Sequence, residues 1–232
     1  MSTKAENEVE SVTYFGCDYT VDSINCLVYN FSKCRLKTKI NLQLLKYGWS
    51  ENMVYTYKSC IEKWSSDYQI NRALQNGALY RIEKGIYADT PKVSTLAIIA
   101  AKYPQAIITM DTAFYYHGLT DVIPDEYWIA TDKSARALRD PRVRQMYVHS
   151  DILNLGVSTM KKRDAIFKIY DKERMLIELL RFKNKLPYDY YKEILGNYRN
   201  IIQDLDIERI QEYAATFPRS KMISDALDLE VF

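Results

Sequence analysis

The clearest alternation of apolar and polar positions runs from residue 66 to residue 75. Ile70, Ala73 and Leu74 recur at the i, i+3, i+4 spacing of a helix that buries one face. Ser66 precedes this helix and is expected to cap it by accepting a hydrogen bond from the backbone N–H of Gln69. The opposite face is polar, and it carries Gln69, Asn71, Arg72 and Gln75.

A signal for a tight β-hairpin follows this helix. Gly77 supplies the residue that ends many helices in the left-handed conformation. Two short apolar runs, at 79–82 and 86–88, flank Glu83-Lys84-Gly85, where glycine provides the positive φ that a tight turn needs. The pattern therefore predicts a helix followed directly by a hairpin.

Earlier segments complete a recognisable order of elements. Helical spacing of apolar residues predicts a helix over 36–47, and a strand at 53–56 is followed by a second helix at 57–63. The order helix, strand, helix, turn, helix, hairpin is typical of a winged helix-turn-helix. We predict such a domain over residues 33–90.

Pro91 marks the predicted boundary to a second domain over residues 91–232, where helix and strand signals alternate. The predicted strands are at 106–109, 127–131, 143–149, 157–161 and 165–170, and the predicted helices are at 92–103 and 111–117, after Asp171, at 188–198 and at 207–217. The fold class is thus α+β, a winged helix-turn-helix followed by a larger mixed α/β domain. Residues 1–32 are acidic and form an N-terminal arm to which we assign no fold.

Composition excludes several classes of protein. The longest apolar run, Leu96–Ala101, is too short to cross a bilayer, and the first ten residues lack the apolar core of a signal peptide. The four cysteines form no CxxC pair and have no histidine nearby, so a zinc site is not predicted and the thiols are expected to be reduced. We expect a cytoplasmic protein without a metal or cofactor.

Positive charge is concentrated in the predicted winged helix-turn-helix. The net charge of the 232 residues is only +2. Residues 33–84, however, hold ten basic and four acidic side chains, whereas the remainder of the chain is acidic or balanced. Such a local excess is the electrostatic pattern of a protein that binds the phosphate backbone of nucleic acid. A basic but merely solvated surface is the alternative.

Seven side chains form the predicted DNA-binding set, and they are Ser66, Gln69, Asn71, Arg72, Gln75, Arg81 and Lys84. The guanidinium of Arg72 is suited to guanine, and the three amides are suited to adenine. The two basic residues of the hairpin are expected to contact phosphates. The alternative is a polar helix surface that contacts another protein.

A second basic cluster lies between residues 133 and 163, where only two acidic residues accompany it. It could contact flanking DNA, or an RNA or nucleotide, and the alternative is a solvated strand edge whose charges oppose aggregation. The members of this cluster are Lys133, Arg136, Arg139, Arg142, Arg144, Lys161, Lys162 and Arg163.

Catalytic motifs are weak, and we predict that the chain is not an enzyme. There is no Gly-rich phosphate loop and no pair of histidines at metal-binding spacing. His117 is expected to be a structural residue at a helix C-terminus. Asp132 and Lys133 are adjacent, so they point to opposite sides of a strand and do not satisfy the spacing of a PD-(D/E)xK nuclease. The alternative is a nuclease or other DNA-processing enzyme attached to a winged helix.

Three stretches carry a resemblance to a known family. They are NGALYRIEKGIYA at 76–88, ITMDTAFYYHGLTDVIPDEYWIAT at 108–131 and YDKERMLIELLRFKNKL at 170–186. In this order the chain resembles the AbiEi antitoxins of type IV toxin-antitoxin (abortive infection) systems, over about residues 53–199.

The resemblance implies a function for each predicted domain. The winged helix would bind operator DNA and repress its own operon, and the larger domain would neutralise a toxin. The implied toxin is AbiEii-like, a nucleotidyltransferase-like protein that the antitoxin counteracts without forming a stable complex.

Overall fold

The computed structural model describes residues 12–14, 17–19, 54–162 and 164–231. The chain divides into two compact units, residues 1–49 and residues 50–232. In the first unit, strand β1 (Val12–Tyr14) pairs antiparallel with β2 (Cys17–Tyr19). The rest of the predicted N-terminal arm and the predicted helix at 36–47 lie outside the described residues.

The described part of the second unit begins with a small sheet and two helices. Strand β3 (Val54–Thr56) leads into helix α1 (Tyr57–Trp64) and then α2 (Asp67–Gln75). Strands β4 (Tyr80–Glu83) and β5 (Ile86–Ala88) form a hairpin, and β5 lies between β3 and β4 in an antiparallel sheet. Each of these elements was predicted from the sequence to within one residue or two.

Local chemistry explains where α2 begins and ends. The Ser66 Oγ accepts a hydrogen bond from the backbone N–H of Gln69 at 3.4 Å, which is the predicted cap. Gly77 has a φ of +69°, so the chain leaves the helix through a conformation that favours glycine. Ile70 and Ala73 are buried in a small core with Tyr55, Cys60, Leu79 and Tyr87. The predicted apolar face of α2 is thereby confirmed.

A five-stranded mixed sheet forms the centre of the remaining chain. Its strands are β6 (Ile107–Ile108), β7 (Tyr127–Asp132), β8 (Val143–Val148), β9 (Val157–Lys162) and β10 (Ala165–Tyr170). The spatial order is β8-β7-β6-β10-β9, so β8 and β9 occupy opposite edges. The β7–β8 and β6–β10 pairs are parallel, and the other two pairs are antiparallel.

Helices pack around this sheet, and with it they confirm a mixed α+β architecture. They are α3 (Thr95–Lys102), α4 (Met110–Tyr116), α5 (Ser150–Leu153), α6 (Lys172–Phe182), α7 (Tyr188–Asn200), α8 (Ile207–Thr216) and α9 (Ser220–Glu230). Within the described residues, each helix is too short or too polar to cross a lipid bilayer.

Two of these helices were not predicted. Helix α5 has only four residues, which is too short to show a helical period. Helix α9 has no side-chain cap, and the residue before it, Arg219, has a φ of +63°. Neither helix has a side-chain cap, which is one of the signals that mark a helix start in a sequence.

A buried arginine joins α6 to the chain before β9. Arg174 is fully buried, pairs with Glu178 at 2.8 Å, and donates to the backbone carbonyls of Ile152 and Leu155 at 2.8 and 3.2 Å. Gly156 lies against it with a φ of +71°, and a Cβ on Gly156 would be 2.6 Å from the Cβ of Arg174. This close approach requires glycine at position 156.

Candidate nucleic-acid interface

Helix α2 presents a polar face to solvent. Gln69, Asn71, Arg72 and Gln75 are all exposed. Successive residues turn by about 100° around a helix, so Arg72 and Gln75 lie nearly opposite the buried side chains of Ile70 and Ala73. Gln69 lies at the flank of this face. Ser66 is also exposed, and its hydroxyl group is used to cap the helix.

The β4–β5 hairpin adds basic groups beside this helix. Arg81 on β4 and Lys84 in the turn are exposed. Gly85 has a φ of +80°, and its carbonyl accepts a hydrogen bond from the backbone N–H of Tyr57 at 3.0 Å. The register of the hairpin shifts between Arg81 and Glu83, as in a β-bulge, which increases local twist. The turn is therefore held against the start of α1.

The described residues carry only part of the predicted positive charge. Five basic and three acidic side chains lie in residues 54–84, whereas the other five basic residues of the predicted domain lie outside the described residues. One of the five described, Lys63, donates to the Tyr55 hydroxyl at 2.5 Å and lies 4.6 Å from the centroid of the Trp64 ring. Lys63 thus takes part in the packing of this small core.

Arg142, predicted as part of the second basic cluster, belongs to an ion-pair network. Its Nη2 atom lies 2.7 Å from Asp140 Oδ2 and 3.1 Å from Glu83 Oε2. Lys102 Nζ lies 2.7 Å from Asp140 Oδ2 and 3.3 Å from Glu83 Oε1. Asp140 is buried, and hydrogen bonds from Arg142 and Lys102 hold the pKa of its carboxyl well below the usual range. The network connects the hairpin to α3 and to the chain before β8.

The structure divides the second basic cluster into two groups. Arg144 is on β8, and Lys133, Arg136 and Arg139 lie in the segment before that strand. The residues at 161–162 are at the end of β9, on the opposite edge of the sheet. Four strand spacings of about 4.8 Å separate the two edges by roughly 19 Å. The members of the cluster that the structure describes therefore do not form one patch, and Arg163 lies outside the described residues.

The group beside β8 is held in place by Gln145. The Gln145 side chain accepts from the backbone N–H of Leu138 at 2.8 Å and donates to the Thr131 hydroxyl at 2.7 Å. The Arg144 guanidinium lies 4.3 Å from the centroid of the Trp128 ring, a cation–π contact. Arg136, Arg139 and Arg144 are exposed, so this edge presents basic side chains on an ordered support.

His117 and Asp132, which were weighed as catalytic candidates, make hydrogen bonds within the fold. His117 Nε2 lies 2.6 Å from the Tyr170 carbonyl oxygen and must therefore carry a proton, while burial lowers the pKa of the ring. Asp132 accepts from the hydroxyls of Ser134 and Ser150, and these bonds lower its pKa to about 2. In the part of the chain that the structure describes, no group of three or more His, Cys, Asp or Glu could hold a metal ion.

A cleft of about 460 Å³ lies beside the end of α4. Its lining includes three tyrosine rings and three charged side chains, namely Tyr115, Tyr116, Tyr127, Asp121, Lys162 and Asp164. The Asp164 carboxylate accepts from the backbone N–H of Ser94 at 2.6 Å. Because two carboxylates accompany one lysine, the lining does not favour a phosphate group, and we assign no ligand to this cleft.

One exposed side chain on α2 was missed by the sequence analysis. Tyr68 is 72% exposed and lies on the same face as Arg72 and Gln75. The sequence spacing indicates this shared face, because positions 68, 72 and 75 follow the i, i+4, i+7 pattern of one side of a helix.

A comparison of the chain with models of known protein families gives no match, and a comparison with curated proteins gives no match either. The similarity to AbiEi antitoxins is therefore carried by the three sequence stretches alone and stays a prediction.

Proposed function

We propose that the chain is a DNA-binding protein in which residues 33–90 form a winged helix-turn-helix, with α2 as the recognition helix and the β4–β5 hairpin as the wing. One observation carries this proposal. Helix α2 buries Ile70 and Ala73 and exposes amides and an arginine on the opposite face, next to a hairpin with two exposed basic residues. A helix of this kind is what the major groove of DNA admits.

Each exposed group has a chemical role in this proposal. The Arg72 guanidinium donates two hydrogen bonds to O6 and N7 of a guanine, and the amides of Gln69, Asn71 and Gln75 pair with adenine. Arg81 and Lys84 contact phosphates, which fixes the position of the protein on the duplex without selecting a sequence.

The basic group beside β8 extends this surface. The ion pair between Glu83 and Arg142 joins the hairpin to the segment that carries Arg139 and Arg144. Residues in an extended chain are about 3.3 Å apart, so Arg144 lies roughly 7 Å along the chain from Arg142. We assign Arg139 and Arg144 to phosphate contacts outside the operator sequence that α2 contacts.

The biological role rests on the resemblance to AbiEi antitoxins. In this role the protein represses its own operon through operator DNA, and residues 91–232 counteract an AbiEii-like nucleotidyltransferase toxin without forming a stable complex with it. The protein acts in the cytoplasm and needs no cofactor.

A DNA-binding experiment tests the first half of the proposal. The full-length protein is titrated at low salt against duplex DNA from the region upstream of its own gene. A specific shift is expected that competitor DNA of unrelated sequence does not remove. Lys221→Ala, which removes an exposed charge on α9, serves as the control and should bind like the wild type. Failure to shift this DNA, or its cleavage when Mg²⁺ is added, would contradict the proposal.

A growth experiment tests the second half. The adjacent open reading frame is expressed alone, with the wild-type protein, and with Arg72→Ala. We expect the neighbour alone to stop growth and both forms of this protein to restore it, whereas only the wild type should repress a reporter behind the operon promoter. A neighbour without toxicity would remove the antitoxin role and leave the DNA-binding role intact.

A further inference from the structure

Tyr68 is an unusually exposed aromatic residue in the first turn of α2. Its side chain is 72% exposed, and it lies two positions after the capping residue Ser66. A ring left in water forgoes the free energy that burial of its apolar surface would contribute. An exposed ring at the start of a surface helix is therefore suited to burial against a partner.

Its position on the helix indicates which partner. At about 100° per residue, Tyr68, Arg72 and Gln75 fall within a sector of about 60° on the side opposite Ile70 and Ala73. In helix-turn-helix proteins the residues near the N-terminus of the recognition helix contact base edges. Tyr68 thus lies on the line of side chains that would enter the groove first.

The neighbouring acidic residue is directed away from this line. The Tyr57 hydroxyl, on α1, donates to Asp67 Oδ1 at 2.5 Å. The Asp67 carboxylate is therefore oriented towards α1, and it does not stand between the ring of Tyr68 and an incoming polyanion. This arrangement favours DNA over a basic partner protein, which an outward carboxylate would attract.

We infer that Tyr68 selects a thymine in the operator by packing its ring against the 5-methyl group in the major groove. This inference rests on the proposed DNA-binding function. The thymine methyl is the apolar group on the major-groove edge of an A·T pair, and apolar side chains contact it in other complexes. Arg72, one helical turn later, contacts a nearby guanine, so the two residues define adjacent parts of one site.

Removal of a single methyl group tests the inference. The preferred duplex is first selected from random sequence with the full-length protein. Each thymine is then replaced by deoxyuridine, which lacks only the 5-methyl group, and Kd is measured for the wild type, Tyr68→Phe and Tyr68→Ala. At one thymine, we expect the replacement to lower the affinity of the wild type and of Tyr68→Phe about three- to fivefold, which is the effect of losing one buried methyl group. The affinity of Tyr68→Ala should not change at any thymine.

The control variant is Tyr188→Ala, which removes another exposed tyrosine, 68% exposed, from α7. It should keep the wild-type response at every thymine. If the wild type selects a sequence but Tyr68→Ala responds to deoxyuridine as the wild type does, or if the site has no thymine, the inference is overturned while DNA binding stands. If the wild type selects no sequence, the proposed function fails as well.

Discussion

Glu83 Oε2 lies 3.1 Å from Arg142 Nη2, and this ion pair joins residues that are 59 positions apart in the chain. Glu83 belongs to the β4–β5 hairpin, whereas Arg142 precedes the edge strand of the five-stranded sheet. Both Arg142 and Lys102 also reach the buried carboxylate of Asp140. Asp140 therefore binds both of the cations that pair with Glu83.

Replacing Asp140 by Asn should lower the free energy of unfolding. Two cations lose their shared buried partner, but both are about one-third exposed, so we expect a loss of about 2 kcal/mol, below the range for fully buried pairs. Urea unfolding at neutral pH measures this loss in the free energy of unfolding. Asp151→Asn, in an exposed pair with His149, is the control and should change stability by less than about 0.5 kcal/mol. Equal effects of the two substitutions would contradict this prediction.

His117 should make stability depend on pH. Burial lowers the pKa of His117 in the folded protein, so the unfolded chain takes up this proton first as the pH falls. The contribution of His117 to the free energy of unfolding is complete at pH values above the unfolded pKa of about 6.5. It declines as the pH falls towards the pKa of His117 in the folded protein. Urea unfolding at several pH values should show this decline in the wild type and a weaker one in His117→Gln. A decline of the same size in His117→Gln as in the wild type would contradict this prediction.

Gly156→Ala should destabilise the fold much more than Gly118→Ala. Both glycines have a φ of +71°, so each alanine suffers about 1 kcal/mol of backbone strain. Only at position 156 would the new Cβ also collide with Arg174, at 2.6 Å, whereas position 118 has no atom within 4 Å. We expect a further loss of about 2 kcal/mol for Gly156→Ala from this collision, measured by thermal unfolding. Similar melting temperatures for the two variants would be inconsistent with this contact.

Arg72→Ala and Lys84→Ala should weaken DNA binding in different ways. Without the Arg72 guanidinium, affinity for the preferred site should fall about tenfold and the preference for guanine at one position should disappear. Without Lys84, affinity for all sequences should fall together, and the slope of log K against log salt should become shallower by about 0.9. Binding titrations at four salt concentrations separate the two effects, and identical behaviour of both variants would argue against these roles.

The two groups of the second basic cluster should also differ. Replacing Arg139 and Arg144 by Ser removes two proposed phosphate contacts, so the salt slope should become shallower by about 1.8. Replacing Lys161 and Lys162 by Ser, on the opposite edge of the sheet, should leave the slope unchanged. Binding titrations at four salt concentrations measure the slope for both double variants. A larger effect of the lysine pair would place the DNA on the β9 edge instead.

Short-range signals were enough to predict most helices and strands. The cap at Ser66 and the stop at Gly77 act within four residues, and the structure has both. The apolar face of α2 was predicted for the same reason, because its period lies within nine residues. The winged helix-turn-helix as a whole stays a prediction, since its first helix lies outside the described residues.

Long-range contacts were not predictable from the sequence. Arg142 appeared as one more basic residue, because nothing near position 142 shows that Glu83 pairs with it or that Lys102 shares its partner Asp140. The cluster at 133–163 appeared continuous for a similar reason. Residues close in sequence were expected to be close in space, but the chain crosses from one edge of the sheet to the other between β8 and β9.

The turn of the hairpin is restrained from two sides by contacts within the fold. The Gly85 carbonyl is bonded to the N–H of Tyr57, and Glu83 is paired with Arg142 and Lys102. A segment that is already fixed loses little conformational entropy when a ligand binds it. In the proposed DNA complex the hairpin would therefore be preorganised, and its contribution to affinity would depend on the contacts it makes rather than on the ordering of a flexible loop.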